Sequence, residues 1–160
     1  ADWLRVDLQS GARHESNGRD GESSRSMNTV YLQTSLVIGD TNSIQLTVTP
    51  RAWIYVGDLS DNPEIERYRG YADLRVALNL RDAGGVPAWL RNTQLSAWAR
   101  CGTHFDRGSL QLDFTYPLWN VSWLNSSVFL HAQWFTGYGE SLLEYKQRVS
   151  QVRAGFSIFR

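Results

Sequence analysis

The sequence predicts an all-β protein, and three observations lead to that prediction. Apolar and polar residues alternate along most of the 160-residue chain, which is the two-residue period of a β-strand. No comparable apolar stripe follows the 3.6-residue period of an amphipathic helix. Turn-forming segments divide the alternating runs into about eight strands. We predict these strands at roughly residues 2–16, 25–38, 43–57, 65–81, 88–101, 108–117, 126–137 and 149–159.

The first four predicted strands show the alternation most clearly. In each of them aliphatic or aromatic residues occupy every second position, and polar or charged residues lie between them. The apolar positions are Leu4, Val6, Leu8 and Ala12, then Val30, Leu32, Leu36 and Ile38, then Ile44, Leu46, Val48 and Ile54, and finally Tyr68, Ala72, Leu74, Val76 and Leu78. The opposite face of the fourth strand carries Arg67, Arg69, Asp73 and Arg75.

The last four predicted strands are less regular. Pro87 and Arg91 interrupt the alternation of the fifth strand, so its register is the least defined. Leu110, Leu112 and Phe114 mark the apolar face of the sixth strand. We expect residues 118–125, which contain two tryptophans, to form a connection before the seventh strand.

The strands and their connections are typical of an antiparallel transmembrane β-barrel. Several strands exceed the usual ~5–6 residues and reach the ~9–11 that cross a bilayer. Short turns at 39–42 and 81–85 alternate with longer polar loops, as expected when one rim carries tight turns and the other carries long loops. The longer loops are predicted at 17–24, 57–64, 102–107 and 138–148. We therefore predict a single β-barrel domain over residues 1–160.

Composition excludes several other classes of protein. The chain has 16 basic and 16 acidic residues. It therefore lacks the basic excess that is typical of a nucleic-acid-binding protein. A single cysteine excludes an internal disulfide framework. No segment has the ~18 consecutive apolar residues of a membrane-spanning helix. A soluble barrel that carries lipids has the same alternation, with its apolar face turned inward, and stays an alternative.

Three polar residues lie where the predicted strands should be apolar. His14 and Ser16 are two positions apart and share the face of Leu8 and Ala12. If a hairpin closes around residues 17–24 with His14 opposite Asn28, a serine, a histidine and an asparagine come together. Histidine can take the proton of a serine nucleophile, and a third group can orient the imidazole. Ordinary polar residues at a strand end are the alternative interpretation.

The surrounding residues resemble the active-site hairpin of the bacterial outer membrane phospholipase A family (phospholipase A1). The matching segments are HESNGR at 14–19 and SRSMN at 24–28, with DNP at 61–63 and GYGESL at 137–142 further along. They follow the family's order and extend over nearly the whole chain. The resemblance implies a twelve-stranded barrel of which this sequence covers the C-terminal two thirds, so we expect about four N-terminal strands to be missing.

The resemblance also implies an activity, a cofactor and a partner. Ser16 would be the nucleophile, His14 the base and Asn28 the residue that orients His14, while the Gly18 amide would meet the oxyanion. The ligands of Ca²⁺ would be the Arg19 carbonyl, the Ser24 hydroxyl and, in a second site, Asp61. The family hydrolyses acyl esters of phospholipids in the Gram-negative outer membrane as a homodimer, with the active site towards the outer leaflet. A catalytically incompetent barrel fragment or a pore-like structural protein is the alternative.

Overall fold

The chain forms one eight-stranded antiparallel sheet in which every strand pairs with its sequence neighbours. A computed structural model describes residues 3–40, 44–81, 86–121 and 126–159. Its elements are β1 Leu4–Ser16, β2 Ser26–Ile38, β3 Ile44–Val56, α1 Ile65–Arg69, β4 Ala72–Leu80, β5 Thr93–Cys101, β6 Gly108–Val121, β7 Ser126–Gly137 and β8 Val149–Phe159, with short 3-10 turns at Gly21–Ser23 and Ala88–Leu90. The predicted all-β antiparallel fold is confirmed. Among the described residues, β1 pairs only with β2 and β8 only with β7.

The two faces of the sheet differ in the way that the alternation predicted. The apolar face is open to the surroundings, with Leu8 72% and Val152 76% exposed. The other face holds a polar network: Arg51 pairs with Asp73, and the Trp98 indole donates to Asp73 at 2.9 Å. An outward apolar band around a polar interior is the arrangement of a membrane barrel rather than of a soluble one. Among the described residues, no helix is long and apolar enough to span a membrane.

Three predicted boundaries are wrong. Residues 65–69 form α1 instead of the start of β4, because Ile65 and Tyr68 are spaced for one helical turn and both side chains are buried. A 3-10 turn occupies 88–90, so β5 begins only at Thr93. β6 continues to residue 121 because a register shift after Pro117 accommodates that proline within the strand. The tips of both predicted short turns, and Trp123, lie outside the described residues.

The main apolar cluster lies in the loops rather than within the barrel wall. Met27 of β2 and Ile65 and Tyr68 of α1 pack with Leu142 and Tyr145 of the loop between β7 and β8. The Tyr145 hydroxyl donates to the Pro63 carbonyl at 2.6 Å, and burial raises the pKa of this phenol. We call these five clustered side chains the plug. The plug packs above the polar face of the sheet, beside the hairpin that β1 and β2 form.

Candidate active site

The β1–β2 hairpin brings two of the three predicted catalytic side chains into direct contact. His14 lies opposite Asn28 in the strand ladder, and Ser16 lies opposite Ser26, as the predicted register requires. The His14 Nδ1 and Asn28 Oδ1 atoms are 2.8 Å apart. The amide oxygen can only accept, so this hydrogen bond requires the proton to be on Nδ1. Nε2 is then the ring nitrogen that can receive a proton.

Ser16 shares the outward face with His14 and Asn28, and all three residues are exposed. Two residues along a strand return a side chain to the same face, so Ser16 lies next to His14 on its strand. The same face continues through exposed Leu8 and Val30. A histidine, a serine and an asparagine on an apolar outer surface are costly in lipid unless they act there.

The loop after Ser16 is organised by Asn17, which the sequence analysis assigned no role. The side-chain oxygen of Asn17, Oδ1, accepts from the backbone amides of Arg19 at 3.2 Å and Arg25 at 3.1 Å. Its amide nitrogen donates to the Ser23 carbonyl at 2.7 Å. One side chain therefore closes the loop across its base. The Asn-Gly dipeptide at 17–18 was the sequence signal for this, since asparagine side chains stabilise turns by bonding to nearby backbone.

This loop carries the predicted oxyanion residue and the two predicted ligands of the first calcium site. Gly18 has φ +65, a left-handed conformation that glycine adopts at little cost, and no atom would touch a Cβ placed there. Gly18 itself is exposed. The Arg19 carbonyl and the Ser24 hydroxyl are hard oxygen donors, which is the ligand type that Ca²⁺ takes. Arg25 donates to the carbonyls of Glu22 at 2.8 Å and Ser24 at 2.7 Å, which fixes the far side of the loop.

Asp61 is exposed in the loop between β3 and α1, where it stands apart from any acidic cluster. Within the described part of the chain, no three His, Cys, Asp or Glu side chains are close enough to hold a metal ion. Asp61 therefore has at most one acidic companion, and the second calcium site stays a prediction.

Asn62, the neighbour of Asp61, is fully buried and supports the hairpin from the polar side of the sheet. Its amide nitrogen donates to the Ser26 carbonyl at 2.5 Å, and Ser26 is the ladder partner of Ser16. The DNP segment contained this residue, but nothing in the sequence indicated where its side chain would bond. The contact joins residues 36 positions apart.

A buried ion pair supports β1 directly beneath the candidate site. Arg69, at the end of α1, is 4% exposed and donates to a Glu15 carboxylate oxygen at 2.9 Å. Glu15 lies between His14 and Ser16 and points to the opposite face. The other Glu15 oxygen accepts from Arg13 at 2.9 Å. The alternation predicted a strand at Arg69 and indicated no role for its side chain.

An antiparallel sheet of long strands, with an exposed apolar face and a hydrogen-bonded polar face, defines a membrane β-barrel protein. The phospholipase A1 family model matches residues 2–158. The chain belongs to the phospholipase A1 family. It is 33% identical over 155 residues to the phospholipase A1 of Escherichia coli K12. The aligned region covers 97% of this chain and 46% of that protein. The Klebsiella pneumoniae phospholipase A1 is 30% identical, over 99% of this chain and 48% of the relative.

Solved structures of outer membrane phospholipases have the same fold. The Escherichia coli outer membrane phospholipase A matches with a TM-score of 0.76 and 29% identity, over 100% of this chain and 56% of the other. An active-site mutant of that protein, in which an asparagine is replaced by alanine, also matches with a TM-score of 0.76 and 29% identity, over all of this chain and 54% of the other. The Salmonella typhi outer membrane phospholipase dimer with bound calcium matches with a TM-score of 0.76 and 28% identity, over all of this chain and 55% of the other. The chain thus spans about half the length of its relatives, and is an integral outer-membrane protein by family and fold.

Proposed function

We propose that this chain carries the active site of a calcium-dependent phospholipase that hydrolyses acyl esters of glycerophospholipids through Ser16, His14 and Asn28. The observation that carries the proposal is the 2.8 Å contact between His14 and Asn28 on the lipid-facing surface, one ladder step from Ser16. Family membership supplies the substrate class, since the relatives are named phospholipase A1. The asparagine mutant of the Escherichia coli protein, named an active-site mutant, supports the role of Asn28.

In the proposed reaction Ser16 attacks the ester carbonyl carbon of a membrane phospholipid. His14 Nε2 takes the Ser16 proton as the new bond forms, and later gives it to the departing alcohol oxygen. Asn28 holds the ring by its hydrogen bond to Nδ1 and so fixes the tautomer with a free lone pair on Nε2. A water molecule then attacks the acyl-serine: His14 Nε2 takes a proton from this water and gives it to the departing Ser16 oxygen, which releases the fatty acid and regenerates Ser16.

The loop from Asn17 to Arg25 provides the proposed oxyanion site. The Gly18 amide, two residues after Ser16, would donate to the negatively charged oxygen of the tetrahedral intermediate. The Arg19 carbonyl and Ser24 hydroxyl would hold Ca²⁺, and Asp61 would contribute to a second site. Calcium, when bound there, supplies positive charge that stabilises the oxyanion.

The proposal places the site in the outer leaflet and its active state in a homodimer. The outward face of Leu8, Ala12 and Val30 lies next to Ser16. It would give the acyl chains of the substrate an apolar surface to contact while they stay in the bilayer. A dimer is supported by the Salmonella typhi relative, which is a dimer with bound calcium. We propose no nucleic-acid partner, because the 16 basic and 16 acidic residues leave no basic excess.

The alternatives are supported less well. In a pore the polar interior would stay open, whereas Arg51 and the Trp98 indole both bond to Asp73 across the polar face. A soluble lipid carrier would turn its apolar face inward, whereas Leu8 and Val152 are largely exposed. A catalytically incompetent fragment is favoured only by length, because the chain spans less than two thirds of its relatives.

The test is Ser16→Ala in a complete barrel, which includes any strands encoded upstream of Ala1. Removing the nucleophile should lower hydrolysis of phosphatidylcholine in mixed micelles with calcium by at least about 10³-fold, while folding and membrane insertion stay unchanged. Ser10→Ala is the matched control, because Ser10 is a serine of the same strand and face that does not touch His14. Retention of most activity by Ser16→Ala would reject the serine mechanism.

A further inference from the structure

Arg69 makes two hydrogen bonds that link three separate parts of the chain. One guanidinium nitrogen donates to Glu15 of β1 at 2.9 Å. The Arg69 Nε donates to the backbone carbonyl of Gly139 at 3.0 Å, in the loop between β7 and β8. The side chain is 5% exposed, so both bonds are shielded from water. A buried arginine is costly unless its donors are paired, so these contacts hold it in one orientation.

The backbone around Gly139 is shaped to receive this side chain. A Cβ at Gly139 would come within 2.7 Å of Arg69 Cγ, and Gly139 has φ +71, so another residue would be both crowded and strained. The Gly139 carbonyl also accepts from Arg100 at 2.9 Å. The Arg69 side chain is therefore held in a specific buried site rather than in an incidental surface pair. We call this site, formed by Arg69 with its acceptors Glu15 and Gly139, the socket.

The socket controls the backbone that carries the proposed catalytic side chains. Glu15 is the only residue between His14 and Ser16, and its side chain leaves the strand on the opposite face. Holding the Glu15 carboxylate fixes the peptide units on both sides of it, from which His14 and Ser16 project. β1 ends at Ser16, and a strand end frays without such a hold. A displacement of about 1 Å at a reacting atom can cost roughly 100-fold in rate.

We propose that Arg69 is a positioning residue for hydrolysis, which acts through Glu15 to hold Ser16 and His14 in their reactive geometry. This inference rests on the proposed function. Arg69 lies on the polar face and is separated from the lipid-facing surface by the sheet, so it does not touch substrate. Its effect should therefore appear in the chemical step rather than in binding of the phospholipid.

The test compares Arg69→Met with Arg67→Met in the complete barrel with saturating calcium. Methionine keeps the bulk of the arginine stem but removes both hydrogen bonds. We expect Arg69→Met to lower kcat roughly 10- to 100-fold, with KM within about twofold of the unsubstituted protein. Arg67 lies on the same helix, and its hydrogen bond at 3.1 Å lowers the pKa of Asp106 on the exposed loop. Arg67→Met should leave kcat unchanged.

Two further single variants keep the test decisive if Arg69→Met folds poorly, as judged by heat-modifiable gel mobility. Glu15→Ala removes the same link from the other side and should lower kcat with little change in KM. Arg69→Lys, which can reach only one of the two acceptors, should recover part of the lost kcat. The double variant Arg69→Met with Glu15→Ala should be no slower than the slower single variant. Both substitutions break the same hydrogen bond between Arg69 and Glu15, so the second loss adds nothing to the first.

The outcomes separate this inference from the proposed function. If Ser16→Ala stays active, the proposed function fails and the positioning role fails with it. If Ser16→Ala is inactive while Arg69→Met and Glu15→Ala keep the kcat of the unsubstituted protein, only the positioning role is overturned. Losses that multiply in the double variant would also overturn it, since they would mean that the two residues act independently.

Discussion

At the scale of single residues, the asparagine in the proposed triad has a defined chemical consequence. Asn28 accepts from His14 Nδ1 as a carboxylate would, and so fixes the ring and its tautomer. It carries no negative charge and therefore stabilises the imidazolium less than an aspartate would. The proposed triad thus depends on orientation by Asn28 more than on charge.

Replacing Asn28 tests this division of labour. Asn28→Ala should lower kcat by roughly 10- to 100-fold without abolishing activity, because His14 still reaches Ser16 but loses its fixed orientation. Asn28→Asp should remain active, since a carboxylate accepts the same hydrogen bond. The measurement is fatty-acid release from phosphatidylcholine micelles, with Thr34→Ala on the same strand as a control. A fully active Asn28→Ala variant would make position 28 an ordinary strand residue.

Which residues of the site could be predicted depended on how far apart their partners lie in the sequence. His14 and Ser16 share a face by the period of one strand, and Asn28 follows from a single hairpin register. Arg69 and Glu15 are 54 positions apart, and their pairing depends on how a loop folds over the sheet. Alternation says nothing about such a contact, so Arg69 was placed on the wrong kind of element.

At the scale of elements, the loop that follows Ser16 carries the groups that the proposed mechanism needs most. The Asn17 side chain makes three hydrogen bonds within it, to the backbone of Arg19, Ser23 and Arg25. Each such bond contributes about 1 kcal/mol to holding the loop closed. The Arg19 carbonyl and the Ser24 hydroxyl are presented from this closed loop, so its rigidity should set the affinity for calcium.

Asn17→Ala should therefore weaken calcium binding more than it slows the reaction at saturating calcium. We expect the calcium concentration for half-maximal hydrolysis to rise roughly 10-fold, the size of effect that supporting residues have on metal sites. Glu22→Ala, at an exposed position of the same loop, should leave it unchanged. The measurement is hydrolysis across a calcium titration. An unchanged titration midpoint for Asn17→Ala would separate loop order from metal affinity.

The elements themselves were predictable where one face is apolar and the other polar. β1, β2, β3, β7 and β8 begin and end within two residues of the predicted limits. α1 was missed because Arg67 and Arg69 continue the alternation that β4 begins at Ala72. A five-residue helix is too short to show a helical period against that background.

At the scale of the whole molecule, the two faces of the sheet have different roles. The apolar outer face can lie in the bilayer and present Ser16 to acyl esters, while the polar face carries the buried links to Glu15 and Ser26. The outer edge of β1 pairs with no other described strand. An unpaired strand edge is poorly tolerated in lipid, so we expect further strands or a second surface to cover it.

We predict that activity requires both calcium and a second barrel. The proposed calcium site has only two protein ligands, the Arg19 carbonyl and the Ser24 hydroxyl, whereas Ca²⁺ takes about 6–8 oxygens. A site this open should bind weakly until another surface covers it. We expect a second subunit to provide that surface, since the Salmonella typhi relative is described as a dimer with bound calcium. Residues 1–160 alone, refolded in detergent, should therefore be nearly inactive even in excess calcium.

The complete barrel should behave differently, and the experiment varies calcium and the protein-to-detergent ratio together. Because both the metal site and the second subunit are needed, hydrolysis should vanish in chelator and should fall steeply when the protein is diluted into excess detergent. A chemically cross-linked dimer should resist dilution but not chelation, which separates the two requirements. Equal turnover by a cross-linked dimer and a strictly diluted monomer, both in chelator, would contradict the prediction.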